Sequence, residues 1–187
     1  MIKLKNVTFG YKNKKIFENL NFSVSEGGRI MLSGASGIGK TTLLRLVLRL
    51  EEPQSGSVDT GGAVVSAVFQ EDRLLPFKTV LQNLTLFAPQ AAALECLEAL
   101  GLKDAVNLYP AELSGGMARR VAIARALARS ADIYIFDEPF SGLDRENILA
   151  CAEFINKKTA QKTVIVVSHI AEDAKLLNAE IIDIEAL

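Results

Sequence analysis

Residues 34–41 form a glycine-rich segment whose residue types and spacing suit the binding of nucleotide phosphates. The segment matches the P-loop pattern G-x-x-x-x-G-K-[ST] through Gly34, Gly39, Lys40 and Thr41. Glycines let successive backbone N–H groups converge on an anion, and a helix that begins near Lys40 adds the positive end of its dipole. Lys40 can then neutralise the β- and γ-phosphates, while the Thr41 hydroxyl can ligate Mg²⁺. We expect further loop contacts from Ser36, Gly37 and Thr42.

Two acidic residues are suited to bind the metal ion and to activate the water in the same phosphate chemistry. Asp137 and Glu138 directly follow the apolar run at residues 133–136. Ligands of open α/β sheets bind at the carboxyl ends of strands, so both carboxylates are expected beside the glycine-rich loop. Asp137 can hold Mg²⁺ opposite Thr41, and Glu138 can polarise the attacking water as a general base. The alternative is that both residues merely end a strand before Pro139.

The segments that position these residues alternate between strand and helix patterns. Apolar runs predict buried parallel strands at residues 29–33, 133–136 and 163–167, with weaker candidates at 63–69 and 180–184. Helical patterns lie at residues 41–49, 91–100, 116–129 and 145–157. This alternation predicts an α/β fold with a mostly parallel sheet flanked by helices.

Two segments depart from this alternation. In residues 1–30, apolar and polar positions alternate, which predicts an N-terminal antiparallel β subdomain with one face in water. Residues from about 72 to 130 carry no strong strand signal, which predicts an inserted helical subdomain. The length of 187 residues fits one domain spanning residues 1–187, whose remaining residues form the nucleotide-binding core.

Composition excludes several classes of protein. The 21 Lys and Arg residues against 22 Asp and Glu residues give a net charge of −1, which disfavours nucleic-acid binding by bulk charge. The longest stretch without charged residues, 79–94, is shorter and more polar than a membrane span, and no signal peptide is expected. Cys96 and Cys151 fit no metal or redox spacing, so we expect reduced thiols in a cytoplasmic protein.

A second motif, Leu113-Ser114-Gly115-Gly116-Met117, precedes an alanine-rich helical pattern. With the glycine-rich loop, Gln70, the Asp-Glu pair, the segment at residues 141–144 and His169, in this order along the chain, it resembles the ATP-binding cassette (ABC) ATPases. These are the P-loop motor subunits of ABC transporters. The resemblance implies a homodimer, or a pair with another cassette subunit, that encloses two ATP molecules. Each glycine-rich loop would face the Ser114, Gly115 and Gly116 backbone of the other subunit.

The resemblance also implies roles for individual residues. Tyr11 would stack on adenine, Gln70 would sense Mg²⁺ and the attacking water, His169 would contact the γ-phosphate, and Asp144 would join the two sites. Tyr11 could instead be an aromatic residue at a strand end. Met117 stands where the family usually has Gln, and its thioether cannot donate a hydrogen bond. The arginines of the following helix are expected to form a solvated face: Arg119, Arg120, Arg125 and Arg129.

The segments at residues 70–80, 109–110 and 138–144 look most like bacterial importer ATPases of the nitrate, sulfonate and taurine group. That likeness implies transmembrane permease subunits as partners, a location on the inner face of the cell membrane, and no nucleic acid; a substrate-binding protein stays an open option. In the family the region after Gln70 grips the permease, and Leu74, Leu75 and Phe77 could line such a groove or belong to the core.

Three other functions are alternatives to a transport ATPase. A soluble ABC ATPase acting on nucleic acid or ribosomes generally carries tandem cassettes or a coiled-coil insertion, and neither pattern is present. A GTPase-like switch is disfavoured because Asn156-Lys157-Lys158-Thr159 lacks the Asp of the guanine-reading N-K-x-D pattern. A catalytically silent cassette is disfavoured by the presence of both Glu138 and His169.

Overall fold

The computed structural model describes residues 1–12 and 14–187, and these form two sheets with helices around them. The strands are β1 (Ile2–Tyr11), β2 (Lys14–Val24), β3 (Arg29–Ser33), β4 (Ser55–Asp59), β5 (Val65–Val68), β6 (Ile133–Asp137), β7 (Thr163–Val167) and β8 (Glu180–Asp183). The α-helices are α1 (Lys40–Val47), α2 (Val80–Thr85), α3 (Gln90–Ala99), α4 (Gly115–Ala128), α5 (Arg145–Lys158) and α6 (Ala171–Leu176).

The larger sheet is parallel and has the strand order β5-β6-β7-β3-β8. Alternate residues of its strands enter two separate apolar cores: Ile133 and Ile135 face one core, and Tyr134 and Phe136 face the other. Because both faces are covered, β6 and β7 are buried along their whole length, which explains their continuous apolar sequences. The prediction of an α/β fold is confirmed.

The smaller sheet is antiparallel, with β1 between β2 and β4. Its inward residues pack with α1 and one face of the parallel sheet in a single core. Strand β4 was not predicted, because Val58 is the only large apolar side chain among its residues. This strand forms because β1 has a second edge available for hydrogen bonding. Helices α2 and α6, each of six residues, were also missed.

Helices α2 to α4 form a layer on the other face of the parallel sheet, together with α5 and α6. The small residues of α4 let its middle turns lie wholly within this core. None of the helices in the described residues is long and apolar enough to cross a membrane.

Replacing Gly56 with alanine should destabilise the fold more than the same change at Gly62. Gly56 has a φ of +84°, and a Cβ there would overlap the carbonyl oxygens of Lys5 and Asn6 on β1. Gly62 has a φ of +72°, but a Cβ there meets no atom of the described residues within 4 Å. We expect the free energy of unfolding to fall by at least about 2 kcal/mol for Gly56→Ala and by about 1 kcal/mol for Gly62→Ala. Urea denaturation followed by circular dichroism measures both, and equal losses would contradict this account.

Candidate functional site

The register of the parallel sheet brings three strand ends together at one edge. Leu32 near the end of β3 and Asp137 at the end of β6 both pair with Val167, the last residue of β7. The glycine-rich loop follows β3, Glu138 follows β6, and Ser168 and His169 follow β7. The sheet therefore places on one edge residues that are more than 100 positions apart in the sequence.

The loop between β3 and α1 has a backbone that depends on glycine. Gly34, Gly37 and Gly39 have φ values of +135°, +78° and +124°, in the region that L side chains rarely adopt. At Gly39 a Cβ would also lie 2.8 Å from the side chains of Ile16 and Phe17 on β2. Contact with the antiparallel sheet thus fixes this loop from outside.

Lys40 begins α1 and lies buried behind the loop. Its Nζ donates hydrogen bonds to the carbonyl oxygens of Gly34 and Ala35, at 2.6 and 2.9 Å. Within the described residues, no side chain caps the N-terminus of α1, and its first turn holds no acidic residue. The first N–H groups of this helix are therefore free to bind an anion.

The two carboxylates differ in their surroundings. Asp137 is 3% exposed. Burial raises the pKa of the Asp137 carboxyl, and Arg119 and the nearby Thr41 hydroxyl oppose that rise. Glu138 Oε1 lies 3.5 Å from His169 Nε2 and has no hydrogen-bond partner among the described residues. Burial likewise raises the pKa of Glu138, and His169 opposes the rise.

These groups surround one cavity of about 310 Å³. Of the residues selected from the sequence, the following line it: Ser36, Gly37, Gly39, Lys40, Thr41, Thr42, Gln70, Asp137, Glu138 and His169. Gly34 lies behind this lining, where it accepts the hydrogen bond from Lys40. Ser141 and Val167 also line the cavity and were not selected, although Ser141 belongs to a motif noted in the sequence.

The remaining selected residues lie outside the cavity lining. Tyr11 is exposed, donates a hydrogen bond to Glu51 Oε1 at 3.1 Å, and packs edge-on against Phe9. Ser114 precedes α4, and its Oγ accepts a hydrogen bond from the Met117 N–H at 3.2 Å.

The N-terminus of α4 forms a second surface with the segment that precedes α5. Ser114 and Gly115 are exposed, and a Cβ on Gly116 would contact the Gly142 carbonyl oxygen at 3.6 Å. Asp144 accepts a hydrogen bond from the Asn147 N–H at 2.9 Å and so begins α5. Apart from Tyr11, the residues selected from the sequence thus fall into two separate groups.

The prediction of a solvated arginine face on α4 is wrong for Arg119. This side chain is 3% exposed, and its guanidinium donates to the backbone carbonyls of Phe69, Asp137, Glu138 and Pro139 and to the Asp72 carboxylate. No pattern in the sequence indicates these bonds, since most acceptors are backbone oxygens.

The other three arginines of this predicted face differ in their exposure and hydrogen bonds. Arg120 is half-buried and donates to the Leu100 carbonyl oxygen at 2.8 Å. Arg125 is half-buried and donates to the carbonyl oxygens of Asp72 and Arg73. Only Arg129 is exposed, so the prediction describes only this residue.

A second, largely apolar cavity lies beside the edge strand β5, between the residues that follow α1 and the end of α4. It has a volume of about 340 Å³, and its lining includes Leu50, Phe69, Leu75 and Phe87. Leu74 packs against the core, whereas Phe77 is 90% exposed. The sequence left open whether this segment belongs to the core or lines a groove. In the structure Leu74 belongs to the core, and Leu75 lines the cavity.

Asn156, the first residue of the guanine-like pattern, serves a different purpose. Its Oδ1 accepts a hydrogen bond from Arg29 at 2.6 Å, and its Nδ2 donates to the Leu176 carbonyl oxygen at 2.7 Å. This side chain therefore joins α5 to β3 and α6, and its amide is not available to read a base.

Comparison with known proteins identifies the family. The family model described as ABC transporter matches residues 17–141. The chain belongs to the ABC transporter family. It is 36% identical to the aliphatic sulfonates import ATP-binding protein SsuB 1 of Rhodococcus jostii, over 92% of this chain and 74% of that protein. It is 37% identical to the protein of the same name from Shouchella clausii, over 98% of this chain and 77% of that protein.

Solved structures agree with this membership. The fold matches a dimeric, post-hydrolysis state of the ATP-binding cassette MJ0796 bound to ADP and Pi, with a TM-score of 0.87 and 31% identity. That match covers 98% of this chain and 94% of the other. The family resemblance inferred from the motifs is confirmed: this chain is an ATP-binding cassette.

Replacing Lys40 with alanine should remove nucleotide binding. The variant lacks the ammonium group buried beside the loop, so we expect the Kd for ATP to rise by about 100-fold or more. Calorimetric titration with ATP measures this change. Lys162→Ala, at the opposite end of β7, is the control and should leave the Kd within about twofold. Equal affinity in Lys40→Ala and wild type would contradict the assignment of the phosphate site.

Proposed function

We propose that this chain is the ATP-hydrolysing subunit of an ABC importer. The observation that carries the proposal is one cavity lined by Lys40, Thr41, Gln70, Glu138 and His169, which combines phosphate binding with a water-activating carboxylate. Two relatives are named as import ATP-binding proteins, which supports import as the direction. The reaction is cleavage of ATP by water to ADP and phosphate.

Thr41 and Asp137 are the residues that would hold Mg²⁺, together with Gln70, which lines the same cavity. A hydroxyl and a carboxylate are the hard oxygen donors that Mg²⁺ prefers. The described residues contain no cluster of three or more His, Cys, Asp or Glu side chains fit to bind a metal by themselves, which suits an ion that takes its other ligands from phosphates and water. When bound, the ion would neutralise charge on the β- and γ-phosphate oxygens.

Glu138 is the proposed general base. Its Oε1 is free to accept a proton from the attacking water, and burial keeps competing solvent away. His169, 3.5 Å from that oxygen, would orient the carboxylate and contact the γ-phosphate, while Gln70 would orient the water. Lys40 would leave the carbonyls of Gly34 and Ala35 to neutralise the developing phosphate charge.

We propose that two copies, or this chain and a second cassette, complete each reaction site. The Ser114 hydroxyl and the Gly115 N–H belong to exposed residues outside the cavity lining, so another chain can reach these donors. In a head-to-tail dimer these donors would bind the γ-phosphate held by the opposite loop. Asp144, which directly follows the Gly142-Leu143 pair that lies against Gly116, would join the two sites, and Tyr11 would stack on adenine. The dimeric state of the related cassette supports this arrangement.

The apolar cavity is the proposed contact with transmembrane permease subunits. Leu50, Leu75 and Phe87 line this cavity, and the strongly exposed Phe77 follows Leu75 by two residues in the sequence. A helix of the permease that filled this cavity would transmit opening of the dimer to the membrane. The chain would then act on the inner face of the cell membrane, and a substrate-binding protein would deliver cargo on the other side.

Replacing Glu138 with glutamine should abolish turnover and trap the ATP-bound dimer. The amide keeps the shape of the side chain but cannot accept the proton, so we expect ATP hydrolysis to fall by about 100-fold or more. Size-exclusion chromatography with light scattering should show a dimer in ATP and Mg²⁺ and a monomer without nucleotide. A variant that stays monomeric at saturating ATP would contradict the dimer.

Ser114 offers a matched test of the dimer interface. In the Glu138→Gln background, Ser114→Arg should prevent ATP-dependent dimerisation, because a bulky side chain would enter the γ-phosphate site of the other copy. Ser130→Arg is the control, since Ser130 is equally exposed and follows the other end of α4. Dimerisation by both double variants would contradict a role for Ser114.

A further inference from the structure

We propose that Arg119 is a positioning residue for ATP hydrolysis. Its side chain holds the backbone of Glu138 and of the segment that carries Gln70, and it links both to the helix that begins after Ser114. This inference rests on the proposed function, because it concerns the placement of the general base. Arg119 does not line the cavity, so it acts through its neighbours.

All N–H groups of the Arg119 guanidinium have acceptors. Nε donates to the Pro139 carbonyl at 3.0 Å, and Nη2 donates to the carbonyls of Asp137, at 2.6 Å, and Glu138. Nη1 donates to the Phe69 carbonyl at 2.6 Å and to Asp72 Oδ1 at 3.0 Å. A guanidinium has five N–H donors in a fixed plane, so every donor of this group has an acceptor. It thus joins three segments: α4, the end of β6 and the chain after β5.

The backbone at Glu138 needs such support. Glu138 has a φ of +49°, in the left-handed region that a residue with a Cβ disfavours. Its N–H donates to the Val167 carbonyl oxygen at 2.8 Å, and its carbonyl accepts from Arg119. These two bonds hold the peptide groups on both sides of the Glu138 Cα. They therefore set the direction in which the carboxylate leaves the strand.

The partner of the Arg119 charge lies on the segment that carries Gln70. Asp72 is half-buried and accepts from Nη1, while the Gln70 carbonyl lies 3.4 Å from the same nitrogen. Arg120, next in the sequence, points instead to Leu100 in the helical layer. Of these two adjacent arginines, Arg119 is therefore the one bonded to the segments that carry Glu138 and Gln70.

This arrangement predicts a loss in kcat with little change in KM. Lysine at position 119 keeps the charge, but its three donors share one nitrogen and cannot replace all the bonds to the end of β6 and to the chain after β5. Glu138 would then lose its fixed direction, whereas Lys40 and the glycine-rich loop keep their own contacts.

The test compares Arg119→Lys with Arg120→Lys in the full chain. We expect Arg119→Lys to lower kcat for ATP about 10- to 100-fold, with KM and the Kd for ATP within about threefold of wild type. Arg120→Lys should keep kcat within about twofold. Phosphate release at saturating Mg²⁺ and calorimetric titration give these values, with thermal unfolding recorded for each variant.

Other outcomes would overturn the inference. An unchanged kcat for Arg119→Lys, or a parallel loss of kcat and ATP affinity, would assign Arg119 to general stability. If this variant does not fold, Arg119→Gln, which keeps two amide donors without charge, must show the same kcat loss. Failure of both to fold would likewise assign the residue to stability. A wild-type chain that does not hydrolyse ATP would contradict the proposed function itself, whereas an active wild type with an equally active Arg119→Lys contradicts this inference alone.

Discussion

Burying a guanidinium costs free energy unless its N–H groups find acceptors, and this constraint organises the end of the parallel sheet that carries Glu138. Arg119 meets it with carbonyls from the end of β6 and the chain after β5, and with the Asp72 carboxylate. Each acceptor must stay in place to keep the N–H groups hydrogen-bonded and the charge paired with Asp72. The helical layer and the parallel sheet are therefore joined by polar bonds at the point where Glu138 leaves the strand.

Much of the fold could be predicted from the sequence, because buried strands and amphipathic helices leave periodic patterns. Strands β3, β6 and β7 were found with nearly their observed bounds, since coverage on both faces demands continuous apolar runs. Strand β4 was missed because it is held by backbone pairing with β1 and buries little side-chain surface. Helix α2 was missed because it spans only six residues, too few for a helical period to be visible.

The residues of the site also differ in whether the sequence reveals them. The loop from Gly34 to Thr41 and the Asp137-Glu138 pair could be found because phosphate and metal chemistry restricts both residue type and spacing. Arg119 could not be found, since backbone carbonyls leave no mark in a sequence and its acceptors lie 18 to 50 positions away. The left-handed backbone at Glu138 is equally invisible, because it follows from the hydrogen bonds around it.

The strand order of the parallel sheet bears on when during synthesis the sheet can form. Strand β3, which leads into the glycine-rich loop, lies between β7 and β8, and these strands come from residues 163–167 and 180–183. Translation releases a polypeptide from its N-terminus, so β1 and β2 can pair early, whereas β3 has neither neighbour until residues 163–183 emerge. The parallel sheet that positions the glycine-rich loop is therefore completed only after β7 and β8 have emerged.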